Sequence, residues 1–269
     1  MKTGHLGAMS LDQPDGFVKH QTLTRDAFLG GRLTLSQPRN GFRAGLDSVL
    51  LGAAVGDDRH SLLDLGSGVG TAAFVALAHN PGLHGTLVEQ NPEVAALARD
   101  NATTNGFANR ASVLDADVTG PGTARKAAGV LENGYDSVIA NPPFFAEGAG
   151  TLAAESGRAG ARHMPAETLD LWVRTATSAA AARGEVIFVY PVESLSPLLA
   201  AFTQRFGNVT VLPLSPRPDA PVPRVLIRGI KGSRAPLSLL ASRPLHDAEG
   251  RGFLPAFEAI FRGTATLDW

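Results

Sequence analysis

The stretch Leu62-Leu63-Asp64-Leu65-Gly66-Ser67-Gly68-Val69-Gly70 passes from an apolar, strand-like run through three glycines spaced two apart. It leads into a breaker-free segment, rich in Ala and Val, that lasts to His79. That is a strand turning into a helix, the opening of a βαβ unit. Glycine at such a turn lets the backbone bend tightly and lets a ligand approach the main chain without meeting a Cβ. The spacing is G-x-G-x-G, whereas a dinucleotide fold prefers G-x-G-x-x-G with a pyrophosphate at the helix N-terminus. Asp64 sits at the strand's end, on the side of the same crevice, where an acid repels a pyrophosphate and welcomes an ammonium or sulfonium. The ligand read from this turn carries positive charge.

Outward from it, short apolar runs alternate with longer amphipathic ones, the pattern of a parallel sheet flanked by helices. Strands are expected at 61–65, 85–89, 111–114, 135–140, 185–190, 209–212 and 225–230. Helices are expected at 69–79, from Asn91-Pro92-Glu93 to about Thr104, at 165–182, and at 192–206 with an interruption near Pro197. Asn91 offers an N-cap, Pro92 a first-turn proline and Glu93 an acid near the positive helix end. Residues 119–134 hold either a short helix or a loop. Upstream, residues 22–35 read as a hairpin around Gly30-Gly31 and 46–55 as a helix. This places a flexible start at 1–16, an annex at 17–58 and the main domain at 59–269.

The carboxyl ends of the expected parallel strands collect polar residues, and open α/β sheets bind ligands along that edge. Glu89, with Gln90 beside it, ends the second strand, where a carboxylate can accept both hydroxyls of a ribose. Asp117, with Asp115 close behind, follows the third strand and can accept from an adenine amino group. After the fourth strand stands Asn141-Pro142-Pro143-Phe144-Phe145, a carboxamide, a carbonyl held by two prolines, and a flat apolar ring. Together these can grip a planar group bearing an amine. Phe145 lines the same wall or belongs to the core. The Gly-rich stretch 146–163 reads as an active-site flap.

The chain has 269 residues, is 44% hydrophobic, and carries 24 basic against 25 acidic residues. Such length buries one sizeable core. Charges so nearly balanced create no global field for a polyanion, so nucleic acid would have to be held by a local patch. One such cluster is Lys19, Arg25, Arg32, Arg39 and Arg43; another is Arg217, Arg224, Arg228, Lys231 and Arg234. Arg158, Arg162 and His163 lie in the flap. The absence of cysteine excludes disulfides and thiolate metal sites, and the histidines show no metal spacing. No apolar run approaches the roughly 18 residues of a membrane span. A cytoplasmic address is expected, with neither metal nor membrane.

With these residues in place, the chain resembles the class I S-adenosylmethionine-dependent methyltransferases over about residues 60–230. Its Asn-Pro-Pro-Phe resembles the motif of amino-group methylators acting on adenine, cytosine or glutamine. Phe28-Leu29-Gly30-Gly31-Arg32-Leu33 and Gly41-Phe42-Arg43-Ala44-Gly45-Leu46-Asp47-Ser48-Val49-Leu50-Leu51 are similar to the N-terminal signature of the bacterial tRNA(Val) adenine N6-methyltransferase family. Phe144 stands where many relatives carry Tyr, which retains stacking and loses a hydroxyl. The resemblance implies a Rossmann-like α/β fold with about seven mostly parallel strands and a small N-terminal annex. It implies S-adenosylmethionine as cofactor, held by Asp64, Gly66, Ser67, Gly68, Gly70, Glu89, Gln90, Asp117 and Asn141. Asn141, Pro142 and Phe144 become the catalytic residues, and Pro143, Phe145, Arg43 and Arg162 the substrate contacts.

The leading expectation is methylation of an adenine exocyclic amine in tRNA near the anticodon. The same grip suits a glutamine amide on a protein such as a release factor. A module that holds RNA or protein without turnover is a further alternative, as, more remotely, is a nicotinamide-dependent dehydrogenase.

Overall fold

The computed structural model describes residues 23–39, 43–143 and 164–269. The chain runs β1 (Leu23–Phe28), β2 (Leu33–Pro38), α1 (Leu46–Ala53), β3 (Ser61–Leu65), α2 (Thr71–His79), β4 (His84–Glu89), α3 (Pro92–Thr104) and β5 (Ala111–Asp115). It continues with α4 (Gly122–Ala128), β6 (Tyr135–Ala140), α5 (Ala166–Ala179), β7 (Ala180–Pro191), α6 (Leu195–Thr203), β8 (Phe206–Ser215), β9 (Arg224–Lys231), β10 (Ser238–Leu239), β11 (Arg243–Pro244) and α7 (Pro255–Phe261).

The main sheet has the order β10-β8-β9-β7-β6-β3-β4-β5, with β11 also pairing with β8. Strands β3 to β7 are mutually parallel, and β9 runs antiparallel between β7 and β8. The seven expected strands are β3 to β9. The two-residue β10 and β11 extend the edge; they are too short to carry an apolar pattern of their own. From β3 the chain builds outward through β4 and β5, then returns to β6 on the other side of β3. That reversal opens a crevice at the carboxyl ends of β3 and β6, where such sheets take ligands.

Alternate residues of each strand feed two cores. Leu62, Leu87, Ile139 and Ile187 face α1, α2 and α7, while Leu63, Val88, Val138 and Phe188 face α5 and α6. Strands covered on both faces read as unbroken apolar runs, as Val186 to Tyr190 do.

Local chemistry sets the element ends. Asn91 caps α3 by accepting from the Glu93 and Val94 N–H groups, with Pro92 in the first turn. α2 starts at Thr71 rather than Val69 because Gly70 is left-handed, with φ 91°. α5 stops at Ala179, short of the expected 182, because Ala180 already pairs with Tyr135 in the sheet; that pairing overrides alanine's helix preference.

The hairpin β1–β2 pairs Leu23 through Phe28 with Pro38 through Leu33. The outer edge of β2 would leave N–H and C=O groups bare. Two carboxamides, Asn101 on α3 and Asn105 at its C-terminal cap, cover it instead. Asn105 accepts from the Thr34 N–H (2.9 Å) and donates to the Thr34 carbonyl (2.9 Å). Asn101 does the same at Ser36, at 2.8 and 3.1 Å. The C-terminal segment closes over α1, where the Leu267 N–H donates to the Ala53 carbonyl and Trp269 Nε1 to the Ala54 carbonyl.

Candidate active site

Leu65 lies opposite Ala140 on β6 and opposite Val88 on β4, and Glu89 lies opposite Asp115 on β5. Gly66 and Asn141 each come one residue after the Leu65–Ala140 pair, and Glu89 one residue after Val88, so all three lie at the carboxyl edge of the sheet.

The three glycines of the turn all have positive φ, 65°, 56° and 91° at Gly66, Gly68 and Gly70, yet they serve different purposes. A Cβ on Gly66 would stand 2.5 Å from Trp172 Cη2, so this glycine admits an indole from α5. A Cβ on Gly70 would run into Phe74 and Leu87 in the core. Gly68 alone of the three has open space where its Cβ would be, so it is the point at which a ligand can approach the main chain. Ser67 shapes the turn through its backbone: its N–H donates to the Val88 carbonyl, and its own carbonyl accepts from the Gly70 N–H, both at 2.9 Å.

The acids behind this turn are engaged internally. Glu89 accepts from the Gly68 N–H at 3.0 Å through one oxygen and from the Asn91 N–H at 2.8 Å through the other. Gln90 follows it, exposed. Asp64, expected to present its charge to the crevice, is 2% exposed and accepts from the Ala73 N–H in the first turn of α2 at 3.3 Å. Burial pushes its carboxyl up to about 8, opposed by the Ala73 N–H and assisted by the Glu89 charge. At neutral pH the group is therefore mostly protonated. Asp117 is exposed and its Oδ1 accepts from the N–H and hydroxyl of Thr119, at 2.7 and 2.8 Å, in an Asx-type turn. Asp115 turns away to pair with Arg99 at 2.9 Å.

Across the crevice, Asn141 is half-buried, Pro142 buried and Pro143 exposed. Asn141 Oδ1 is buried and has no hydrogen-bond partner among the described residues. Phe144, Phe145 and Arg162 lie outside the described residues, as do Arg158, His163 and Lys19.

Six of the expected phosphate contacts are built into the fold instead. Arg43 pairs with Asp26 at 2.7 Å and also donates to Thr24 Oγ1 and the Pro38 carbonyl, which locks the end of the hairpin. Gln37 completes this clamp by donating to Asp26 and accepting from the Ala44 N–H. Arg32 donates to the Gly263 and Ala78 carbonyls. Arg217 holds the Asp247, Ala248 and Gly250 carbonyls, and Arg224 pairs with Asp47 at 3.0 Å. Arg228 lies over the Trp269 ring, and Lys231 donates to Asn133, Thr177 and Ala180. The sequence signal for these roles is weak, because an arginine that binds carbonyls within the chain and one that binds phosphate are the same letter.

Among the described residues no group of three or more His, Asp or Glu is placed to hold a metal, and no helix is long and apolar enough to cross a membrane.

The chain is similar to known proteins. The tRNA1(Val) (adenine(37)-N6)-methyltransferase of Klebsiella pneumoniae is 36% identical over 132 residues, covering 47% of this chain and 50% of that protein. The matched part thus spans half the length of that relative. The protein of the same name from Edwardsiella ictaluri is 28% identical over 212 residues, covering 77% of this chain and 81% of that one. A crystal structure of a predicted O-methyltransferase from Agrobacterium tumefaciens superposes with a TM-score of 0.70 at 30% identity, covering 82% of this chain and 98% of that one. The α/β architecture is therefore the Rossmann-like fold of those methyltransferases. With residues 46–212 matched by the family model described as methyltransferase small domain, the chain belongs to that family.

Proposed function

We propose that the protein transfers a methyl group from S-adenosylmethionine to the exocyclic N6 of an adenine in tRNA, beside the anticodon. The observation that carries this reading is the buried Oδ1 of Asn141, which has no partner among the described residues. Buried acceptors are nearly always satisfied, and one left open at the mouth of the crevice is suited to a donor brought by the substrate.

The β3–β4 side fits the cofactor. Gly68 offers an open main-chain approach, Glu89 stands behind it where ribose hydroxyls can be accepted, and Asp64 lies beneath with a proton that an incoming cation would displace. Asp117 is the candidate partner for the adenine of the cofactor. When bound, S-adenosylmethionine supplies a methyl group on a sulfonium, with a good leaving group built in.

The residues of the chain then supply orientation. The amino nitrogen of adenine is a poor nucleophile because its lone pair is delocalised into the ring. Asn141 Oδ1 and the Pro142 carbonyl can accept its two hydrogens, which lets the nitrogen move toward sp³ geometry and aim its lone pair. Orientation of this kind is worth effective molarities of roughly 10⁵ M or more, and the two hydrogen bonds strengthen as charge develops on nitrogen. No strong base is required, because the bonding pair leaves with the neutral thioether and the methylated nitrogen, now acidic, gives its extra proton to solvent. A hydroxyl acceptor has one hydrogen and would leave one of the two oxygens idle, so a paired acceptor favours an amine. Phe144 is assigned to stack on the extruded base, worth about 1–3 kcal/mol, which offsets part of the unstacking cost.

Two relatives named as tRNA1(Val) adenine N6-methyltransferases support the tRNA assignment. The test is transfer of labelled methyl to unmodified tRNA, followed by nucleoside analysis, with a protein extract as parallel acceptor. Label in N6-methyladenosine is expected. Label in glutamine or on a ribose oxygen would overturn the reading.

A further inference from the structure

We infer that Asn101 is a positioning residue for the cofactor turn, tying it to the N-terminal hairpin; this rests on the cofactor site proposed above. Asn101 is 1% exposed on α3, and its carboxamide serves two distant segments at once. Oδ1 accepts from the Ser36 N–H at 2.8 Å, while Nδ2 donates to the Ser36 carbonyl and to the Val69 carbonyl, each at 3.1 Å. Val69 stands between Gly68, where the main chain is open to a ligand, and Gly70, the N-cap of α2.

A turn with three left-handed glycines has many alternative conformations. Few bonds select this one. The Ser67 N–H, the Gly68 N–H and the Gly70 N–H each have a single partner, and the bond from Asn101 fixes the direction of the Val69 carbonyl and hence the plane of the peptide joining Val69 to Gly70. Holding the turn in its binding shape before the ligand arrives lowers the entropic cost of binding. The strand β2 sits at the other end of the same carboxamide, and the Asp26–Arg43–Gln37 clamp fixes the end of that strand. Asn101 therefore couples the state of the hairpin to the shape of the cofactor turn.

The structure contains its own control. Asn105, one helical turn later, makes the same pair of bonds to Thr34 that Asn101 makes to Ser36, but its remaining bond goes to the Asn101 carbonyl and not to the turn. If the carboxamides only dock the hairpin, the two positions are equivalent. If Asn101 positions the turn, they are not.

The experiment compares Asn101→Asp with Asn105→Asp. Each keeps an acceptor for the hairpin N–H and loses its donors. Calorimetry with S-adenosylmethionine and S-adenosylhomocysteine, below both melting midpoints, is expected to give about a tenfold higher Kd for Asn101→Asp, of the order of one lost hydrogen bond. Asn105→Asp is expected to stay within about twofold of the wild type. At saturating cofactor the kcat of Asn101→Asp returns to near the wild-type value, so the defect lies in KM. Equal Kd changes in the two variants, or none in either, overturn the inference. Where Asn101→Asp does not fold, amide exchange of the wild-type protein decides. By linkage, saturating cofactor slows exchange at Ser36 more than at Thr34, and equal or absent slowing overturns the inference. Failure of the wild-type protein to bind either compound would refute the cofactor site itself, a result distinct from equal behaviour of the two variants.

Discussion

The two sides of the crevice differ in how their polar groups are satisfied. On the side formed by β3, β4 and β5, Asp64, Glu89 and Asp117 each accept a hydrogen bond from the chain itself. On the β6 side, Asn141 Oδ1 is buried without a partner among the described residues. The first side is self-supporting, and a ligand there exchanges with bonds already made. The second is left incomplete among the described residues, and in the function proposed above the missing donors are those of the acceptor nitrogen. Binding of the cofactor and chemistry on the acceptor are thereby assigned to different residues, which makes the comparison breakable by mutation.

The largest expected effect is on the incomplete side. If Asn141 orients the amine as proposed, Asn141→Ala removes an interaction strongest in the transition state, and single-turnover transfer should slow by about 10²–10³. A loss of less than about tenfold would mean that the amine is oriented elsewhere.

Next come the glycines of the self-supporting side. Gly66→Ala combines a φ of 65° with a collision against a buried indole, and denaturant unfolding should show a loss of about 2–4 kcal/mol. Gly68→Ala meets open space and should cost only about 1 kcal/mol from its backbone conformation, while weakening cofactor binding because the methyl group occupies the approach. Equal stability losses would show that the two glycines are not differentiated.

The third effect concerns Asp64. Its carboxyl is raised from 3.8 to about 8 in the folded protein, so between those values the folded state holds more protons than the unfolded one. Stability from this group is complete at the acid end of that window, declines as pH rises through it, and is level above about 8. Urea melts across this range should show the decline in the wild type and its removal in Asp64→Asn. A cation bound nearby favours the ionised form, so cofactor binding near neutral pH should release protons, detectable by calorimetry in buffers of different ionisation enthalpy.

The smallest effect is at Arg43. Its pair with Asp26 is about one-third exposed on each side, so Arg43→Ala should cost about 1 kcal/mol or less in stability. Because the guanidinium is engaged within the hairpin, the salt dependence of tRNA binding should not change; a decrease in its slope by about one unit would restore the phosphate contact read from the sequence.

The elements that frame the crevice are legible in the sequence because each carries its own local signal. Leu62 to Leu65, apolar but for Asp64, and Val138 to Ala140 are strand-like runs, and Asn91-Pro92-Glu93 is a helix start whose cap forms as expected. The C-terminal region is different. β10 and β11 are placed by pairing with β8, and the segment around them by Arg217 on the carbonyls of 247–250 and Trp269 on the Ala54 carbonyl, and no short window of sequence contains those pairings. The same limit applies within the site. Gly66, Gly68 and Gly70 are identical letters at equal spacing, and only the arrival of Trp172 from α5 and of Phe74 from α2 distinguishes which of them is left for a ligand. The depth of Asp64 and the second bond of Asn101 likewise depend on how α2 and α3 pack against the turn.

The most direct test of the separation between the two sides is the dissociation constant of S-adenosylmethionine for Asn141→Ala and Glu89→Ala, measured by calorimetry on matched preparations. The account predicts that Asn141→Ala binds within about twofold of the wild type, whereas Glu89→Ala, having lost the carboxylate that holds the Gly68 N–H, binds about tenfold more weakly or worse. Comparable weakening in both variants would contradict it, since Asn141 would then belong to the cofactor side and not to the acceptor.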